Sequence, residues 1–160
     1  MHWKEAQDTW LTALKAEGRS PVTLDGCRGH LAPFGRFLEA NGISDLDNLT
    51  PFHLRRLLVE YGEGRNPYSV RTVYTSLRAW LRWLVSEGTL RESPTERVKE
   101  PRAPEPAKKV YTPGELSAIK KYLEKGKTAL ALRDYGLVLV LMDTGARCSE
   151  LLAVTLDDLQ

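Results

Sequence analysis

Helix punctuation recurs along this chain and leaves little room for any other backbone. Apolar residues return every three or four positions, in runs opened by Ser-Pro or Thr-Pro pairs and closed by glycine, the signature of helices with one hydrophobic face. Trp3, Ala6, Trp10 and Leu14 mark a first helix, which Gly18 ends. Ser20 and Pro21 then supply an N-cap and a first helical residue with preset φ. The second helix turns Leu24, Cys27, Leu31, Phe34 and Leu38 inward and stops near Gly42. Gly26, Gly29 and Gly35 fall within it, each costing up to about 1 kcal/mol against alanine. On an outer face, glycines would also let a phosphate backbone approach closely. Thr50-Pro51 opens a third helix with Leu54, Leu57, Leu58 and Tyr61 inward, and residues 62–67 read as a loop. Ser69 reads as the cap of a fourth helix, whose core residues are Val70, Val73, Leu77, Trp80, Leu81 and Leu84. Gly88 ends it, and a short helical turn around residues 95–98 follows. No strand alternation and no internal repeat appear, so the expected fold class is all-α, with four helices around one core.

Residues 100–109 contain Pro101, Pro104 and Pro106, which forbid a helix and favour an extended, semi-rigid connector. The expected organisation is therefore a domain over residues 1–99, a linker over 100–111 and a second segment over 112–160. Thr112-Pro113-Gly114-Glu115 opens that segment as a capping box, with a helix to about Glu124. A further helix spans about 129–143, and another starts after Gly145.

The net charge of +2 conceals an asymmetry. Residues 1–64 hold seven Lys/Arg against nine Asp/Glu, residues 65–111 ten against five, and residues 112–160 six against seven. A basic middle third suggests a polyanionic partner. Cys27 and Cys148 have no paired spacing, so neither a disulfide framework nor a zinc site is indicated. Cys27 falls on an apolar helix face as a small hydrophobe. His2, His30 and His53 stand on separate elements and read as surface or capping residues, with no metal expected. No signal peptide and no membrane-length apolar run is present, and the expected location is the cytoplasm.

Opposite the apolar face of the fourth helix, Arg71, Thr75, Arg78 and Arg82 follow at spacings of four, three and four and form one stripe. Ser69 and Thr72 stand at its start. A row of guanidiniums suits a helix laid along a DNA major groove, because each fork engages phosphate or guanine edges bidentately. The alternative is a solvated face laced with ion pairs, for which only Glu87 is available within the helix. Arg19, Ser20 and Thr23, with Arg28 a turn further on, form a second group at a helix N-terminus, where free amides attract phosphates.

The stretch Thr144-Gly145-Ala146-Arg147-Cys148-Ser149-Glu150-Leu151 resembles the first conserved box of the tyrosine recombinase (phage integrase) family, roughly Thr-Gly-Leu-Arg-x-Ser-Glu-Leu. The resemblance covers nearly the whole chain. Ser20-Pro21-Val22-Thr23-Leu24, with Phe34 and Phe37 beyond, is similar to the opening of that family's core-binding, SAM-like domain; Cys27 stands where the family often has tyrosine. Residues 76–90 look like its fourth helix and exit. Ser93-Pro94 and Val98-Lys99-Glu100-Pro101 match its Asn-Pro and Pro-Lys landmarks approximately, and Thr112-Pro113-Gly114-Glu115-Leu116 resembles the start of its catalytic domain.

The resemblance implies a four-helix core-binding bundle, a proline-rich linker and the first helices of a truncated catalytic domain. It implies double-stranded DNA and other recombinase protomers as partners, no membrane, and no metal or other cofactor. Arg147 would occupy the first catalytic arginine position, binding a non-bridging phosphate oxygen in the transition state, with Glu150 in support. The parent reaction would be site-specific strand cleavage and rejoining through a phosphotyrosyl intermediate, for DNA integration or recombination. No residue here matches the family's hairpin lysine, His-x-x-Arg pair or nucleophilic tyrosine, and every tyrosine precedes Arg147. The expectation is DNA binding without catalysis. The rival reading is a protein-interaction or regulatory module that docks through an apolar surface over residues 129–156.

Overall fold

The core helices form where local chemistry places them. The computed structural model describes residues 1–104 and 110–159, the side chains of Leu156 and Leu159 aside. Helix α1 spans Trp3–Ala16, α2 Pro21–Ala40, α3 Pro51–Gly62 and α4 Pro67–Ser86. Among the described residues every regular element is helical, with one isolated antiparallel bridge between His2 and Asp45. The caps are those the sequence dictates for the first three helices. His2 Nδ1 accepts from the Lys4 amide at 3.2 Å, Ser20 Oγ accepts from the Thr23 amide at 3.3 Å, and Thr50 and His53 cap reciprocally. His30 departs from expectation. It is half-buried, with Nδ1 3.0 Å from Ser76 Oγ, and so ties α2 to α4.

The fourth helix starts earlier than its expected cap. Asn66, not Ser69, is the N-cap: its Oδ1 accepts from the Tyr68 amide at 2.9 Å, and Pro67 fills the first helical position. Gly64, at φ +69°, turns the chain into that Asn-Pro pair, a stronger start signal than a lone serine. Ser69 is an exposed residue of the first turn.

Helix α4 is the hub, packing against α1, α2 and α3. Val70, Val73, Leu77, Trp80, Leu81 and Leu84 are all buried, as their spacing predicts, and Tyr74 joins them. Trp80 is fully enclosed. It meets Phe34 edge-on at a centroid separation of 5.6 Å, and its indole N–H donates to the Ala6 carbonyl at 3.3 Å. Gly35 faces inward, because the Trp3 indole packs over its Cα; Gly29 faces open space, and a Cβ at Gly26 would meet only His30 Cε1 at 3.9 Å.

Beyond Gly88 the chain makes a 3-10 turn at Pro94–Arg97 and folds back over α3 and α4. The Tyr74 hydroxyl donates to the Val98 carbonyl at 2.7 Å, and Arg55 Nη2 donates to the Arg97 carbonyl at 2.6 Å. The first compact unit, Met1–Pro106, therefore extends past residue 99. Residues 105–109 of the expected connector lie outside the described residues.

The second unit, Ala107–Gln160, holds α5 (Pro113–Leu123), α6 (Ala129–Thr144) and α7 (Cys148–Leu152), then a 3-10 turn at Leu156–Leu159. Thr112 and Glu115 form the capping box of α5, and Gly145, at φ +65°, ends α6. Helix α6 packs against α5 and α7, yet no described residue of the three helices is buried. Leu130, Leu132 and Leu152 each expose more than half of their surface.

Candidate nucleic-acid interface

The helical repeat sets Arg71, Thr75, Arg78 and Arg82 along the face of α4 opposite its buried residues. Two of these cations do not stand free. Arg71 Nε donates to Glu100 Oε1 at 2.5 Å, and Arg82 Nε donates to Glu96 Oε1 at 2.9 Å. The partners come from the fold-back segment, not from Glu87. The Arg82 hydrogen bond holds the Glu96 carboxyl below the usual carboxylate range, and the charges of Arg82 and Arg78 act in the same direction. Arg78 has no ion pair among the described residues, and its Nε is sealed from solvent without a hydrogen-bond partner.

The hydroxyls of the face are also engaged. Thr72 Oγ1 donates to the Tyr68 carbonyl and Thr75 Oγ1 to the Arg71 carbonyl, each at 2.9 Å. Their donors are committed to the helix, which leaves lone pairs rather than a proton for an incoming phosphate.

At the start of α2, Ser20 Oγ and Thr23 Oγ1 lie 2.9 Å apart. Arg28 reaches Asp25 at 3.0 Å, and Arg19 turns back towards Glu17 at 3.6 Å. Ser20 and Thr23 are thus brought together at the helix end, while the two arginines lie in exposed ion pairs on either side. Such pairs contribute little to stability and yield readily to another anion.

In the second unit Arg147 is the N-cap residue of α7. Glu150 accepts from the Arg147 amide at 2.8 Å and from its guanidinium at 2.7 Å. Those two bonds, the amide first, hold the Glu150 carboxyl below its ordinary range. The Arg147 side chain is 83% exposed, so its outer N–H groups face water. Among the described residues no cluster of His, Cys, Asp or Glu could hold a metal ion, and no helix is long and apolar enough to cross a membrane.

Glu96 and Glu100 are the charge partners of the stripe that sequence spacing missed. They lie 14 and 29 residues from their arginines, where no helical period could have linked them.

Comparison with known proteins agrees with this architecture. Residues 8–88, half of the chain, match the family model described as the phage integrase N-terminal SAM-like domain. The chain is 32% identical to tyrosine recombinase XerC of Chromohalobacter salexigens, over 88% of its own length and 47% of that protein's. It is 29% identical to XerC of Proteus mirabilis, over 96% of its own length and 50% of the relative's. The chain thus spans about half the length of these curated relatives. A lambda integrase dimer bound to a COC′ core site shares the fold, with a TM-score of 0.80 at 17% identity over 99% of this chain and 43% of that one. The chain belongs to the phage integrase, or tyrosine recombinase, family.

Proposed function

We propose that the first unit is a duplex-DNA-binding module of a site-specific tyrosine recombinase. In this reading it grips DNA through the outer face of α4 and the N-terminus of α2. The observation that carries it is the outer face of α4, where Arg78 has no ion pair among the described residues, set on a bundle that matches the integrase SAM-like domain. One solved neighbour is an integrase dimer on a core site, which supports DNA and further protomers as partners here; the proposed location is the cytoplasm. Arg147 takes the first catalytic arginine position and Glu150 orients it, while strand cleavage and rejoining belong to the parent activity.

Binding should be electrostatic. The logarithm of affinity for a duplex should fall linearly with the logarithm of salt concentration, by about 0.9 for each phosphate neutralised. Titration by fluorescence anisotropy across a salt series checks this. A second reading rests on the exposed Leu130, Leu132 and Leu152: docking of another chain on residues 129–156. Salt-insensitive self-association without DNA affinity would favour that reading.

No tyrosine follows Arg147 in these 160 residues, and catalytic groups that act as a unit fail together. A nicked suicide substrate should therefore trap no covalent adduct. Arg147→Ala should weaken DNA binding by no more than about 1–2 kcal/mol, the scale of one charged hydrogen bond. An adduct at any tyrosine would overturn this assignment.

A further inference from the structure

The fold-back segment that supplies Glu96 and Glu100 is anchored, not loose. Thr95 is 1% and Val98 7% exposed, and the Val98 and Arg97 carbonyls accept from Tyr74 and Arg55 on α4 and α3. Ser93 and Thr95 share a buried hydroxyl contact of 2.6 Å. The backbone around Glu96 is thus fixed by buried groups on both sides, and Glu100 follows two residues after the last anchor. An exposed ion pair between two free side chains breaks easily. Here the carboxylates come from a segment anchored by buried Thr95 and Val98, and the pairs are more covered than Arg28–Asp25, with side-chain exposures of 48%/38% and 56%/51% against 58%/76%.

Resting on the DNA-binding reading above, we propose that residues 93–100 form a fixed strap across α4 that presents two carboxylates to it. The strap keeps Arg71 and Arg82 in intramolecular pairs, and Arg78 alone of the stripe receives a DNA phosphate. Two carboxylates pair with two of the three guanidiniums, and the unpaired one falls between them, two helical turns from Arg71 and one from Arg82. The half-buried stem of Arg78 and its enclosed Nε restrict the side chain, so less freedom is lost when an anion binds its outer N–H groups. Arg71 and Arg82 are positioning residues in this arrangement, holding the strap rather than the nucleic acid.

The test is the salt dependence of binding to one duplex, measured by anisotropy on the full 160-residue chain and its variants. Arg78→Gln should shallow the log–log slope by about 0.9, and Arg78→Lys, which keeps the charge, should retain the slope. Arg71→Gln and Arg82→Gln should leave the slope unchanged. Glu96→Gln/Glu100→Gln should free two cations, steepening the slope by roughly 1.8 and raising affinity at low salt. Equal shallowing by Arg71→Gln or Arg82→Gln, or a glutamine double variant with unchanged slope, would show that the pairs exchange for phosphates and would overturn the strap. A wild-type chain without salt-dependent DNA binding would instead overturn the underlying DNA-binding reading.

Discussion

Trp80→Ala should cost the first unit about 3–5 kcal/mol, the range for removing a large aromatic from a well-packed core. Trp80 is fully enclosed on the hub helix, it meets Phe34 edge-on, and its N–H reaches the Ala6 carbonyl. Truncation therefore removes apolar contact with α2 and a hydrogen bond to α1 in one step. For a unit of this size each kcal/mol corresponds to roughly 4–8 °C in Tm, so the midpoint should fall by at least about 12 °C or the transition should disappear. Thermal melting followed by circular dichroism gives the answer. A fall of only a few degrees would mean that α1 and α2 are held mainly by contacts other than Trp80.

The fold was legible because its determinants are local. Trp3, Ala6 and Trp10, then Leu31, Phe34 and Leu38, repeat at helical spacing, and all of them are buried. Ser20-Pro21 and Thr50-Pro51 announce the starts of α2 and α3 with side chains that bond amides three residues on. Two start signals compete at α4, and the Asn66-Pro67 pair prevails over Ser69. Tyr74 joins the core, four residues from Val70 on the same face. A phenol is ambiguous in sequence, since its ring favours burial only where the hydroxyl finds a partner. That partner, the Val98 carbonyl, stands 24 residues away.

The candidate site was legible only in part, for the same physical reason. The Arg71–Arg82 stripe follows from the period of one helix. Its electrostatic state does not, because charge compensation depends on which segment folds back over that helix. Glu96 and Glu100 looked like ordinary members of a polar exit sequence. Only the anchoring of Thr95 and Val98 places their carboxylates beside α4. Arg147 and Glu150 show the converse. They pair at i,i+3 at the start of α7, but that geometry is shared by many helix starts. The catalytic assignment rests on the pattern of residues around them.

Gly35→Ala should destabilise the first unit by about 1–3 kcal/mol, although the same exchange elsewhere in α2 should stabilise it. Alanine is the better helix former by about 1 kcal/mol, and that term alone would favour every Gly→Ala change within α2. Space decides the sign. A Cβ at Gly35 would sit 2.2 Å from Trp3 Cη2 and 2.7 Å from two further ring atoms, far inside van der Waals contact. The Trp3 indole is itself buried at 8% exposure and cannot simply swing into solvent without losing its packing. Overpacking of this kind costs about 1–3 kcal/mol and outweighs the propensity gain. Gly29 has nothing within 4 Å, and the neighbour of Gly26 is His30 Cε1 at 3.9 Å, so neither site opposes a methyl group. Gly26→Ala and Gly29→Ala should each raise stability by about 0.5–1 kcal/mol. If the N-terminal half of α2 lies against a phosphate backbone, those two variants should also bind duplex DNA more weakly while melting higher. The Gly35 mechanism has its own control. In the double variant Gly35→Ala/Trp3→Ala the clash is absent, so the combined cost should fall below the sum of the single costs by more than about 0.5 kcal/mol. Strict additivity in urea denaturation would show that the loss at Gly35 does not arise from its contact with Trp3.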